Sequence, residues 1–278
     1  MNSAKWIWRR IGLLSAAATI LLLAGLVYAF MDVNYPAPNE AIQRQAPEAD
    51  TSLEKEHNPL KDKQNINIAV LGDSLAKGTG DDTGSGFAKR AIKELGENTD
   101  KQVKLLNNLG INGLTTNGLL PKLDETGVQY VLKEADVILL SIGGNDLFQG
   151  AQALAGGQAN MSSEFDPMEL INTMPEALER LQSILLKLRD INSAATIVYV
   201  GLYNPFGDIA QLLVPANLAV SHWNNAALEL INTDENALLI PTFDLFQLNL
   251  SQYLANDHFH PNGDGYQQIA ERIVQAIQ

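Results

Sequence analysis

The chain has 278 residues, 46% of them hydrophobic, and a formal net charge of −13. That content suits one domain with a full core, while the acidic surface repels nucleic acid and anionic lipid headgroups. There is no cysteine, which excludes disulfides, thiolate catalysis, cysteine-held zinc and a lipidated N-terminal cysteine.

Residues 1–10 are short and basic, and the run Ile11–Phe30 that follows holds no charge. At about 1.5 Å per residue a helix of this length spans roughly 30 Å, the thickness of a bilayer core. Lys5, Arg9 and Arg10 are the charges of residues 1–30, so the remainder carries −16. A basic flank stays cytoplasmic, which sends the rest of the chain outward. Trp6, Trp8 and Tyr28 stand where interfacial aromatics are expected. The expectation is a single-pass anchor in the cell membrane with an extracytoplasmic domain. The alternative is a secreted protein, because Val27-Tyr28-Ala29 resembles a small-residue cleavage site. Met31–Asn65 carries Pro36, Pro38, Pro47 and Pro59 and few large apolar residues. It reads as a linker outside the core. The expected organisation is an anchor or signal over 1–30, a linker over 31–65 and a folded domain over 66–278.

From Ile66 the pattern alternates between strand and helix. Ile66–Leu71 is too short for a helix and rich in β-branched residues, which predicts a first buried strand. Phe87–Leu95 reads as helix, Val103–Leu109 as a second strand and Leu119–Lys133 as mostly helical. Val137–Ile142 is apolar but for Ser141 and predicts a central third strand. Thr173–Asp190 carries Ala177, Leu178, Leu181, Ile184, Leu185 and Leu188 at helical spacing, with Thr173 and Glu176 as a capping box. Thr196–Val200 is a fourth strand, Ala216–Ile231 a helix and Ala237–Ile240 a short fifth strand. Tyr266, Ile269, Ala270, Ile273 and Ile277 form the stripe of a closing helix. Alternation of this kind implies an α/β fold, a parallel sheet covered by helices on both faces.

Four polar stretches fall after strands or before the last helix: Gly72-Asp73-Ser74-Leu75, Asn108–Gly113, Gly143-Gly144-Asn145-Asp146 and Asp257–Asn262. Loops after parallel strands converge on one sheet edge. A serine there becomes a nucleophile when a histidine takes its proton and a carboxylate holds the imidazole. Asp257 lies three residues before His260, close enough to orient it. Oxyanion donors are available from the backbone N–H groups of Ser74 and Gly113 and from the Asn145 amide. Each stretch alone also fits a simple turn. His258 and His260 make a poor metal pair, since no acidic cluster at ligand spacing accompanies them. Asp81–Gly86 faintly suggests a calcium loop, but Ile92 occupies the position of the bidentate acid. The glycines at 78, 80 and 84 miss the dinucleotide spacing.

Together the four stretches resemble the SGNH hydrolases, also called the GDSL esterase/lipase family, over about residues 66–277. The resemblance implies a three-layer α/β/α fold of the flavodoxin-like kind with a five-stranded parallel sheet. It implies Ser74 as nucleophile, Asp257 and His260 as its triad partners, and Ser74, Gly113 and Asn145 as the oxyanion hole. Asp73, Leu147 and Phe148 are expected to bind substrate. No metal and no cofactor are implied, and the partner is a small-molecule or lipid ester. The α/β-hydrolase alternative wants G-x-S-x-G, whereas this chain reads Gly72-Asp73-Ser74-Leu75-Ala76.

The leading expectation is therefore an extracytoplasmic serine esterase or lipase acting on acyl or lysophospholipid esters. O-deacetylation of cell-wall or other glycans and a non-catalytic glycan-binding module on the same fold are the alternatives. Leu147–Asn172 is a long connection that begins beside Asn145 and carries Leu147, Phe148, Leu154 and Met161. It reads either as a surface excursion or as a wall for an acyl chain.

Overall fold

A computed structural model describes residues 3–34, 60–148 and 174–278. Helix α1 (Ser3–Asn34) contains the stretch Trp8–Tyr28, with a mean hydropathy of 2.2. Among the described residues it is the one helix long and apolar enough to cross a membrane, and an export signal meets the same criteria. The Arg10 guanidinium lies 3.8 Å from the centre of the Trp6 ring, a cation–π contact near the basic end.

Residues 58–278 form a separate compact unit. Its elements are β1 (Asn65–Gly72), α2 (Ser74–Lys77), α3 (Gly86–Thr99), β2 (Gln102–Gly110), α4 (Thr116–Lys122), α5 (Thr126–Lys133), β3 (Val137–Ser141) and α6 (Gly144–Phe148). After the undescribed stretch come α7 (Met174–Ile191), β4 (Thr196–Val200), α8 (Ala210–Ile231), β5 (Ala237–Ile240), α9 (Phe243–Tyr253) and α10 (Gly263–Ile277). The five strands pair in parallel in the order β2-β1-β3-β4-β5. Every residue of β3 and β4 is buried, as their mostly apolar runs require of central strands.

Alternation along the strands divides the core in two. Ala69, Leu71, Ile138, Leu140, Ile197 and Tyr199 face one way and join side chains of α4, α5, α7 and α8. Ile68, Val70, Val137, Leu139, Val198 and Val200 face the other way and meet α3 and α10. Strand order reverses at β1, with β2 on one side and β3 on the other. The carboxyl ends flanking such a reversal form the crevice where open α/β sheets take ligands.

Several boundaries differ from the sequence reading. Leu60, inside the stretch read as linker, is buried at 3% exposure in the core with Ile66 and Leu95. The helical stretch up to Lys133 is two helices, broken between Lys122 and Thr126. Helix α8 starts six residues before Ala216, and Pro215 sits inside it. Helix α9 was not expected at all. Thr173, the proposed cap of α7, lies outside the described residues.

Candidate active site

Strand β1 ends on Gly72, where the backbones of β1 and β3 touch. A Cβ on Gly72 would lie 1.8 Å from the Ser141 carbonyl oxygen. The Asp73 N–H then donates to that same oxygen at 2.9 Å. Asp73 caps α2, its Oδ1 accepting the Leu75 N–H and the Ser141 hydroxyl, each at 3.0 Å. This sharp strand-to-helix turn puts Ser74 at the first position of α2, where an N–H has no partner within the helix.

The other half of the site comes from the loop between α9 and α10. A bridge between Leu254 and Pro261 closes it, and the Ala255 and Asn262 N–H groups donate to His260 O and Tyr253 O at 2.8 Å each. Within it, Asp257 Oδ1 accepts the N–H groups of Phe259 and His260 at 3.0 Å, and Oδ2 lies 2.6 Å from His260 Nδ1. His260 Nε2 stands 2.8 Å from Ser74 Oγ across 186 residues of chain. Burial pushes the Asp257 carboxyl up, but the His260 ring and the two backbone donors outweigh it and hold the group below the usual carboxylate range. An ionised Asp257 only accepts, so His260 carries its proton on Nδ1. Nε2 is left to accept from the Ser74 hydroxyl.

The loop after β2 lies against this edge, because the Ile111 N–H donates to Gly72 O at 2.9 Å. It carries Gly113, exposed and in the left-handed region with φ +75°. Asn145, in α6, donates one Nδ2 hydrogen to Leu114 O at 2.9 Å.

A cavity of about 40 Å³ opens beside Ser74, its lining including Asn145, Phe148, Leu202, Tyr203 and His260. Asp73 forms part of its floor and is 4% exposed. Burial pushes the Asp73 carboxyl up to about 7 against the lowering hydrogen bonds of Ser141 and Leu75. Of the three residues expected to bind substrate, Asp73 is thus engaged with Ser141 and Leu75 while still reaching the cavity. Phe148 borders the cavity and packs edge-on against Phe206 at 5.1 Å. Leu147 does not line the cavity. It is 3% exposed and sits in the core with Ile142 and Leu181, because α6 turns it inward. Leu154 and Met161 lie outside the described residues, as does the rest of residues 149–173. His258 is exposed, in the left-handed region, and takes no part in the Ser74–His260–Asp257 chain.

The profile described as the GDSL-like Lipase/Acylhydrolase family matches residues 70–268. The chain belongs to this family. It is a serine ester hydrolase of the GDSL/SGNH type. It is 34% identical to the uncharacterized protein YpmR of Bacillus subtilis (strain 168), over 78% of this chain and 83% of that one. It is 27% identical to the spore germination lipase LipC of Bacillus licheniformis, over 75% of this chain and 94% of that one. Among solved structures it resembles the lipase Lip_vut3 from a goat rumen metagenome, with a TM-score of 0.65 and 26% identity over 76% and 97% of the two chains. The acetyl xylan esterase Axe2 of Geobacillus stearothermophilus shares the fold, with a TM-score of 0.58 and 18% identity over 78% and 96%.

Sequence reasoning missed several residues of this GDSL-type site. Leu202, Tyr203 and Pro205 follow β4 and reach the cavity. Their position after a parallel strand was the signal that could have found them. Tyr203 donates its hydroxyl to Phe259 O at 2.7 Å and stacks on Phe246 at 4.0 Å, which fixes the loop carrying His260. Ser141, buried beneath Asp73, had no local signal, since its role depends on the pairing of Gly72 with Ser141 across β1 and β3.

Proposed function

We propose that Ser74, His260 and Asp257 are the catalytic triad of this hydrolase, and that it cleaves carboxylic esters of acyl or lysophospholipid type through an acyl-enzyme. The observation that carries the reading is the continuous hydrogen-bonded chain from Ser74 Oγ through the imidazole to Asp257, with links of 2.8 and 2.6 Å. Ser74 Oγ attacks the ester carbonyl carbon while its proton passes to His260 Nε2. The negative charge that develops on the carbonyl oxygen is met by the Ser74 and Gly113 N–H groups and the Asn145 amide. Collapse of the tetrahedral species expels the alcohol, which leaves with the proton from His260. Water then attacks the acyl-Ser74 ester with His260 again as base, releasing the acid and restoring the serine.

The acyl preference is supported by the apolar cavity wall of Leu75, Phe148, Leu202, Pro205 and Phe259. The names of LipC and Lip_vut3 as lipases point the same way. The basic residues in the first turns of α1 and the −16 carried by residues 31–278 support a single-pass anchor over residues 1–30, a linker ending before the buried Leu60 and an extracytoplasmic hydrolase domain. Protease added to intact cells then removes the domain, and a soluble cytosolic full-length protein would refute the anchoring.

The test is kinetic. Ser74→Ala abolishes turnover and leaves the fold intact. Asn145→Ala lowers kcat by about 10²–10³ with little change in KM. Wild-type activity in purified Ser74→Ala would reject the triad. Hydrolysis of acetylated glycans with none of acyl esters would reject the substrate class.

A further inference from the structure

Asp146 directly follows Asn145, yet the ester-cleaving scheme gives its carboxylate no task. Its side chain is 5% exposed. Oδ2 accepts the Thr116 N–H at 2.8 Å, and Oδ1 accepts the Thr116 hydroxyl at 2.6 Å. Thr116 is fully buried. From α7, Arg180 donates its Nε–H to Thr116 Oγ1 at 3.0 Å, and its Nη2 lies 3.7 Å from Asp146 Oδ1. The pairing has a companion one residue back, where Asn145 donates to Leu114 O at 2.9 Å.

These bonds tie two short segments together. One, residues 111–116, carries Gly113. The other, residues 144–148, carries Asn145. Three hydrogen bonds join them, two of which end on one buried carboxylate. Bonds to an ionised acceptor are shorter and stronger than neutral ones. Donors to an oxyanion act only when they converge on one oxygen position, about 2.7–3.1 Å from it. A displacement near 1 Å can cost about 10²-fold in rate.

We propose that Asp146 is the positioning residue of the oxyanion site. Its carboxylate, backed by Arg180, fixes the Gly113 segment against Asn145 so that both donors meet the same oxygen. The inference rests on the oxyanion roles proposed above for Gly113 and Asn145. Asp146 touches neither substrate nor the reacting atoms; it acts through Thr116. An amide in its place keeps an acceptor for the Thr116 N–H but leaves the Thr116 hydroxyl proton without its acceptor and removes the charge facing Arg180, so the tie between the two segments weakens without loss of side-chain volume.

The test uses the full-length protein with p-nitrophenyl butyrate, and an alkyl boronic acid as a mimic of the tetrahedral species. Asp146→Asn is expected to lower kcat about tenfold with KM within about twofold, and to weaken boronic acid binding by a similar factor. The pH dependence of kcat/KM stays in place, because the Ser74–His260–Asp257 chain is intact. Thr116→Val, which keeps the N–H and loses the hydroxyl, shows the same pattern at smaller size, and Thr116→Ser restores the wild-type rate. In an Asn145→Ala background the effect of Asp146→Asn shrinks below about threefold, since one of the aligned donors is gone. Should Asp146→Asn fail to fold, the two Thr116 variants decide alone. A loss of kcat in Asn145→Ala, with Asp146→Asn and Thr116→Val both at the wild-type rate, overturns the positioning role and spares the oxyanion reading. No loss in Asn145→Ala overturns both. A displaced pH profile, or a change confined to KM, also overturns the inference.

Discussion

Gly80 supports His260 from behind: a Cβ added to Gly80 would lie 2.9 Å from His260 Cβ and 2.5 Å from the Pro261 carbonyl oxygen. The glycine also holds φ at +94°, a conformation other residues resist. Gly80→Ala must therefore push the His260 loop away from Ser74. Turnover should fall by about 10–100-fold, with a lowered Tm, because the serine and the imidazole lose their hydrogen-bond distance. Steady-state kinetics and thermal melts check this. An unchanged kcat would mean that the loop yields without moving the ring.

Asp257→Asn separates orientation from packing. The amide can still accept the N–H groups of Phe259 and His260, but it no longer enforces the proton on Nδ1. The imidazole then presents the wrong tautomer to Ser74, and kcat should drop by about 10³–10⁴. The melting temperature should move far less than the rate. Comparable activity of the two proteins would exclude Asp257 as the orienting acid.

Asp73 makes stability depend on pH. Its carboxyl is pushed up to about 7 from the ordinary 3.8 by burial. The folded chain thus holds this proton more tightly than the unfolded one. The resulting stabilisation is complete below about pH 4 and is lost as pH rises through 7. Over that window it amounts to about 4 kcal/mol at about 1.4 kcal/mol per pH unit. Asp73→Asn, which cannot ionise, should flatten the urea-denaturation profile between pH 4 and 8 and gain on the wild type as pH rises. Parallel profiles for the two proteins would show that Asp73 is ionised throughout.

Tyr199 is a pure stability site. Its buried hydroxyl donates to Ile142 O at 2.8 Å and accepts the Trp223 indole N–H at 2.8 Å. Tyr199→Phe leaves a buried carbonyl and a buried indole N–H without this partner, which costs about 2–5 kcal/mol. Chemical denaturation followed by Trp223 fluorescence measures it. A cost under about 1 kcal/mol would mean that water replaces the hydroxyl.

Strands β1, β3, β4 and β5 were legible because each is a short, mostly apolar run closed by polar turns. Thr196–Val200 and Ala237–Ile240 coincide with β4 and β5. Ser74, Asp257 and His260 were legible because their spacing and order are local patterns, even though their meeting is not. Helix α9 was not legible. In Phe243–Tyr253, Phe246, Leu248 and Leu250 alternate as in a strand, Leu248 is 82% exposed, and a kink at Asn249 breaks the helical period. Leu147 and Phe148 look alike in sequence and both join the core, and only the fold shows that Phe148 also reaches the cavity. The Asp146–Thr116 tie joins residues 30 apart through side chains with no shared motif.

The distance in sequence between Ser74 and His260 has a temporal consequence. Between them lie four of the five strands, and the sheet must close on both sides of β1 before Ser74 meets His260. Local structure such as the α2 turn can form early, but contacts this far apart come after loop-closure entropy has been overcome. On the proposed triad, a partly folded chain therefore displays the serine without the histidine that takes its proton. The ester assay is accordingly a clock for the last stage of refolding, silent until long-range order is complete.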